Sequence, residues 1–183
     1  MKKEKPDLEK KVMEGIYGKK ELKKEEKNIY LGEFKERVIR YLNCEQVKEQ
    51  GIYPEILEAV KHPEADKVII DRNINLKAAN DYIKLAIENN LKHKRVHSPE
   101  LKGDVGLVVV SNNAVSIKNR KVLSREERLK ALGISDKLIK NVGAKLCDDC
   151  WNLLKEKAPS ELINYKKMNW YDKITGTKCI CQK

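Results

Sequence analysis

The sequence predicts an α/β (α+β) domain: a small mixed sheet with helices on both faces, an N-terminal helical arm and a helical C-terminal extension. Three observations lead there. Val68-Ile69-Ile70 is a β-branched run of the kind found in strands covered on both faces, and Val105 to Val110 is a longer apolar run. Between them Leu76, Ala79, Tyr82, Ile83 and Ala86 recur at helical spacing. Strand, helix and strand within about 50 residues is the βαβ plan of a layered fold.

Taken in order, Lys27 to Asn43 carries Leu31, Phe34, Val38, Tyr41 and Leu42 at helical spacing among charged residues, which predicts one amphipathic helix. Gly51 opens a loop and Pro54 suits a first helical position, with Ile56, Leu57 and Val60 behind it. Asn73 and Asn75 are candidate caps for the central helix, which should end near Asn89 and Asn90. His93 to His97 reads as a short polar strand, and Asn112-Asn113 as a turn into an Ala114 to Ile117 strand. Ser124 and Glu127 have capping-box spacing. Ser135 is expected to cap one long helix carrying Leu138, Ile139, Val142, Leu146, Cys150, Leu153 and Leu154, closed by Pro159.

The chain has 183 residues and a formal charge of +11, with 37% charged side chains. That length suits one compact domain with appendages. The expected organisation is a charged arm over 1–27, a core domain over 28–123 and a helical, basic, cysteine-containing extension over 124–183. No window holds the run of roughly 18 apolar residues that spans a bilayer, so no membrane role and a cytoplasmic location are expected.

Gly15-Ile-Tyr-Gly18, then Glu21, then Leu31-Gly-Glu-Phe-Lys-Glu-Arg-Val38 resemble the N-terminal signature of the YueI-like family of Firmicutes. The resemblance extends more loosely through Val110 and to residue 120, and the chain then runs past the end of the shorter members. It implies a fold similar to the Bacillus chorismate-mutase-like α/β architecture, and it implies no catalytic residue. That architecture also resembles RNA binders that recognise kink-turns. The corresponding loop here is Gly51 to Val60, with Glu55 available but Tyr53-Pro54 where those proteins carry an Asn.

Two groupings carry chemistry. Cys147 and Cys150 form one chelating pair, and Cys179 and Cys181 another. Four soft ligands suit tetrahedral zinc, which would tie the tail back onto the preceding helix. In the expected long helix no N-terminus adjoins Cys147, so a redox pair there is not anticipated.

Residues 117–183 hold 16 Lys or Arg against 8 Asp or Glu, so the cation excess is C-terminal. Lys118, Arg120, Lys121, Arg125 and Arg128, joined by Lys166 and Lys167, are the candidate phosphate contacts for RNA or a ribonucleoprotein. Trp170 and Tyr171 lie beside that second group, although Trp151 and Trp170 read first as packing residues. His62, His93 and His97 lack partners at a spacing that would complete a nucleophilic set. The expectation is therefore a non-catalytic accessory or regulatory binding protein. The alternative is a protein-interaction module whose zinc-held tail presents Trp170 and Tyr171 to a protein partner.

Overall fold

The computed structural model describes residues 24–97 and 103–182. The expected patch at Ile16 and Tyr17, most of the 1–27 arm and most of the Ser98 to Asp104 turn lie outside the described residues.

Helix α1 (Lys24–Ile29) leads through a 3-10 turn at Lys35–Arg37 to strand β1 (Val38–Asn43). Helices α2 (Cys44–Lys48) and α3 (Pro54–Val60) follow, then β2 (Ala65–Asp71), α4 (Leu76–Glu88), β3 (Lys92–Val96) and β4 (Val105–Ser111). The four strands form a mixed sheet in the order β1-β4-β2-β3. Strand β4 is antiparallel to both its neighbours, and β2 and β3 run parallel across the α4 connection.

The pleat sorts side chains to the two faces. Val68 and Ile70 of β2 join Leu107 and Val109 of β4 in a core with Val47, Ile56, Ala79 and Tyr82 from the three helices and Tyr53, which precedes α3. Ile69, Val108 and Val110 point the other way and are covered by Tyr30 and Leu31, which follow α1. Every residue of β4 is buried, which is why its sequence is an unbroken apolar run.

The helix starts follow from their caps. Asn43 ends β1 and caps α2, its side chain accepting from the Gln46 N–H at 2.8 Å while Gln46 Oε1 accepts from the Asn43 N–H at 2.8 Å. Asn75 caps α4 by accepting from the Ala78 N–H at 2.8 Å, and Asn90, at φ 58°, ends it.

The expected helix over Lys27–Asn43 is corrected. Leu31 and Gly32 both adopt positive φ, which stops α1, and Val38–Asn43 pairs with β4, Tyr41 opposite Val108 and Leu42 opposite Leu107. Five apolar residues at helical spacing were compatible with either structure, and partnership with an apolar strand decides it for β-branched Val38 and Ile39. Ala114 to Ile117 is likewise not a strand. That segment is irregular, held by the Val115 N–H donating to Glu36 O at 2.8 Å.

From Ser124 a second unit begins. It comprises α5 (Arg125–Ala131), α6 (Asp136–Lys140), β5 (Lys145–Leu146), α7 (Asp148–Lys157), a 3-10 turn at Pro159–Asn164, β6 (Lys166–Lys167), α8 (Trp170–Ile174) and a last 3-10 turn at Ile180–Gln182. It has its own core, built on Leu129, Leu138, Leu146, Cys150, Leu154, Tyr165 and Cys179. The expected single helix from Ser135 is broken at Asn141–Ala144. Gly143 sits there at φ 87° and donates its N–H to Asn164 O at 2.8 Å, and parallel pairing of β5 with β6 takes the backbone bonds a continuous helix would have used.

Gly106 lets the first turn of α2 close on β4: a Cβ there would lie 2.8 Å from Cys44 Cα. Gly106→Ala should therefore lower unfolding free energy by about 1–3 kcal/mol, read as a shifted urea midpoint with unchanged slope.

Candidate metal centre and cationic cleft

Breaking the long helix changes the setting of the cysteines. Cys147 is not mid-helix but occupies the N-cap of α7, and Cys150 lies on its first turn. The chain then makes the 3-10 turn, β6 and α8, and returns so that Cys179 and Cys181 face them. All four Sγ atoms lie within 4.8 Å of one another, with Cys147 and Cys181 at 3.7 Å. The Cys147 N–H donates to Cys179 Sγ at 3.3 Å, the kind of bond that favours a thiolate.

Cys150 and Cys179 are buried, Cys147 is half-buried and Cys181 exposed. Burial raises the Cys179 thiol, but hydrogen bonds from the backbones and thiols of Cys147 and Cys181 outweigh it and bring the pKa to about 6. Burial pushes the Cys150 thiol up, reinforced by hydrogen bonds with its three neighbours. The Cys181 thiol is raised by its bonds to Cys179 and Cys147. A cation among them would favour the thiolate form of its ligands. The cluster can hold a metal ion.

The candidate phosphate contacts separate into three groups. Arg125 and Arg128 are turned inward, which corrects their reading as surface groups. Arg125 is 2% exposed and stacks its guanidinium over the Tyr53 ring, 4.7 Å from the centroid. It donates to Gln50 O at 2.9 Å and pairs with Glu49 at 3.2 Å and with Glu161 at 3.5 Å. Arg128 pairs with Glu55 at 2.8 Å and with Glu161, whose side chain is fully buried. Burial raises the Glu55 pKa, against the pull of Arg128.

These contacts dock the extension on the loop between α2 and α3. Asn164 completes the seam, accepting from the Ile52 N–H at 2.8 Å and donating to Ile52 O at 2.8 Å. Gly51 is required there, because at φ +85° a Cβ would meet Asn164 Oδ1 at 2.5 Å. The Gly51 to Val60 loop, which in kink-turn binders would face RNA, is thus packed against the extension, and Glu55 is committed to Arg128.

Lys118, Arg120 and Lys121 form the second group. The segment carrying them runs along the free edge of β1: Tyr41 bridges to Lys121, and the Tyr41 N–H donates to Arg120 O at 3.0 Å. The Arg120 guanidinium is held by three carbonyls, Val38 at 2.8 Å, Ile117 at 2.5 Å and Val115 at 2.9 Å. A cleft of about 460 Å³ opens here, lined by Tyr30, Lys35, Tyr41, Lys118, Asn119, Arg120, Lys121 and Leu123. The sequence reading missed Tyr30, Lys35 and Tyr41 because it placed them on a helix.

In the third group, Lys166 and Lys167 are exposed on β6, and Lys167 pairs with Asp148 at 3.0 Å. Next to them Trp170 is 71% and Tyr171 60% exposed, their rings edge-to-face at 5.7 Å. Trp170 is therefore not the packing residue expected, whereas Trp151 does pack against the second core. His93 and His97 are exposed at the β3 edge and join no site.

Fold and site together define a mixed-sheet α/β protein bearing a separately cored extension that ends in a four-thiol cluster. The family described as a protein of unknown function (DUF1694) matches residues 5–121, and the chain belongs to that family. It is 27% identical over 105 residues to the uncharacterized protein YueI of Bacillus subtilis, a match covering 57% of this chain and 80% of that one. The crystal structure of that YueI protein superposes with a TM-score of 0.54 at 22% identity, covering 66% of this chain and 94% of that one. The family match stops at 121, so both inward arginines and all four clustered cysteines lie beyond it.

Removing one partner of a buried ion pair strands the other. Glu161→Ala should cost about 3–5 kcal/mol in urea unfolding and expose the 124–182 unit to limited proteolysis before the sheet domain.

Proposed function

We propose that the protein is a non-catalytic binding protein in which a zinc ion, held by Cys147, Cys150, Cys179 and Cys181, organises a basic, aromatic extension that takes up RNA or an RNA-bound complex. Four thiolates at Zn–S distances of about 2.3 Å stand roughly 3.8 Å apart in a tetrahedron. The 3.7 Å between Cys147 and Cys181 and the 4.8 Å limit on the whole set support that ion. Soft thiolates with no carboxylate in the set favour zinc over magnesium or calcium.

The observation that carries the RNA reading is the exposed Trp170–Tyr171 pair beside Lys166 and Lys167. Exposed rings stack unpaired bases while neighbouring ammonium groups neutralise phosphates. The α8 segment bearing those rings lies between β6 and the second cysteine pair, so β5–β6 pairing holds one of its ends and the ion would hold the other. Asp172 fastens it further, capping with Asn169 and pairing with Lys145.

Purified protein should carry about one zinc per chain by elemental analysis, and chelation should release the 169–182 segment to proteolysis. Single-stranded RNA should bind less tightly as salt rises. Trp170→Ala with Tyr171→Ala should weaken it roughly tenfold or more, each stacked base being worth about 1–3 kcal/mol. Metal-free protein with an unchanged proteolytic pattern would refute the zinc role. RNA affinity indifferent to both the aromatic pair and salt would refute the RNA role. A nuclease-resistant complex with one protein would instead favour a protein-docking role for the same rings, which the neighbouring exposed Ile174 supports.

A further inference from the structure

The cleft beside β1 belongs to a different part of the molecule from the aromatic extension, and its lining has a distinct chemistry. Four of the eight lining residues are cations and none is acidic. Among the described residues Lys35, Lys118 and Lys121 make no ion pair, unlike Arg125, Arg128, Lys145 and Lys167. Glu26 accepts from the Lys35 backbone N–H at 2.9 Å, and Glu127, held by the Ser124 hydroxyl at 2.7 Å, feels the Lys121 charge without forming an ion pair with it. Arg120 compensates its charge with carbonyl dipoles alone, so its positive field is retained at the cleft wall.

The remaining wall is aromatic. Tyr30 and Tyr41 meet edge-to-face with centroids 5.5 Å apart, and Leu123 and the Asn119 amide complete the lining. A bare phosphate would leave these rings and most of the 460 Å³ unused, whereas the volume lies in the range of roughly 300–1,000 Å³ typical of small-molecule sites. Hydrogen bonds between the loop and β1 fix the shape of the cleft: the Val122 N–H donates to Tyr41 O at 3.3 Å, and the Arg120 side chain donates to Val38 O at 2.8 Å. We infer that this cleft binds a nucleoside phosphate, with the phosphate at Lys35, Lys118 and Lys121 and the base against Tyr30 and Tyr41. Arg120 acts as a positioning residue that holds the loop in place.

The nucleotide can be free or part of an RNA strand, and the test separates the two. The full-length, metal-replete protein is titrated by calorimetry with adenosine and uridine 5′-monophosphates, inorganic phosphate and an oligouridine. Nucleotides should bind about tenfold or more tighter than inorganic phosphate, because only they engage the rings. Lys118→Ala with Lys121→Ala should weaken nucleotide binding by about tenfold or more, and Lys35→Ala, on a separate segment, should weaken it too. All three are exposed lysines without ion pairs, so unchanged melting is expected and confirms that the effect is local. Competition between oligouridine and uridine monophosphate identifies an RNA-borne nucleotide, and its absence a free one; either supports the cleft.

Phosphate binding as tightly as the nucleotides, no heat from any nucleotide, or lysine variants that bind as the parent would overturn the inference. Its failure is distinct from that of the extension reading. RNA binding that needs Trp170 and Tyr171 but ignores Lys118 and Lys121 removes the cleft and leaves the extension. Nucleotide binding that ignores Trp170 and Tyr171 does the reverse.

Discussion

The convergence of four thiols is the constraint on which the outer part of the molecule depends. Beyond β6 the chain buries few large side chains: Met168, Asp172, Cys179 and Ile180 enter the interior, while Trp170, Tyr171 and Ile174 stand in solvent. So little apolar area does not offset the conformational entropy of ordering that many residues. The four thiols meet at the first turn of α7, but free thiols packed this closely gain little from one another. A bound cation would convert the same geometry into folding free energy, and the break between α6 and α7 is what puts Cys147 and Cys150 where they can meet it.

The second constraint is the seam between the extension and the sheet domain. Arg125 and Arg128 leave solvent to meet Glu49, Glu55 and Glu161, and Tyr53 and Asn164 satisfy much of what burial would orphan. A network of this type is a poor source of net stability, but it tolerates one docking geometry, since any slippage leaves a charge unpaired in the interior. The extension is therefore oriented on the sheet domain by polar specificity.

How much of this was legible in the sequence depends on whether the deciding interaction was local. The β2, α4, β3 and β4 elements, the Asn75 cap and the Ser124–Glu127 capping box all follow from periodicity or from residues three apart, and each appears where the sequence places it. Strand β1 and the break at Asn141–Ala144 do not, because the first is decided by pairing with a strand some 70 residues away and the second by β6. The four-cysteine grouping was readable as a set because ligand count and pairing survive an error in secondary structure. The cleft was only half readable, since Lys118, Arg120 and Lys121 stood out as a charge cluster while Lys35, Tyr30 and Tyr41 join them only once β1 is a strand.

The same contrast explains why a cation count misleads in this chain. Arg120 and Arg125 are neighbours in a basic run, yet Arg120 spends its donors on carbonyls while Arg125 meets carboxylates in the seam. A guanidinium among carbonyl dipoles keeps its net charge and projects it into the adjacent cleft. One among carboxylates is cancelled locally and contributes almost nothing at a distance. Positive potential at the sheet edge therefore comes from the arginine that does structural work without an acid, together with lysines that make no ion pair among the described residues. The chain leaves the family domain at that edge, where Lys121 bridges to Tyr41 and Ser124 starts α5. The turn that makes the cleft is thus also the turn that swings Arg125 into the seam, so the shape of the cleft and the docking of the extension are set by one short segment.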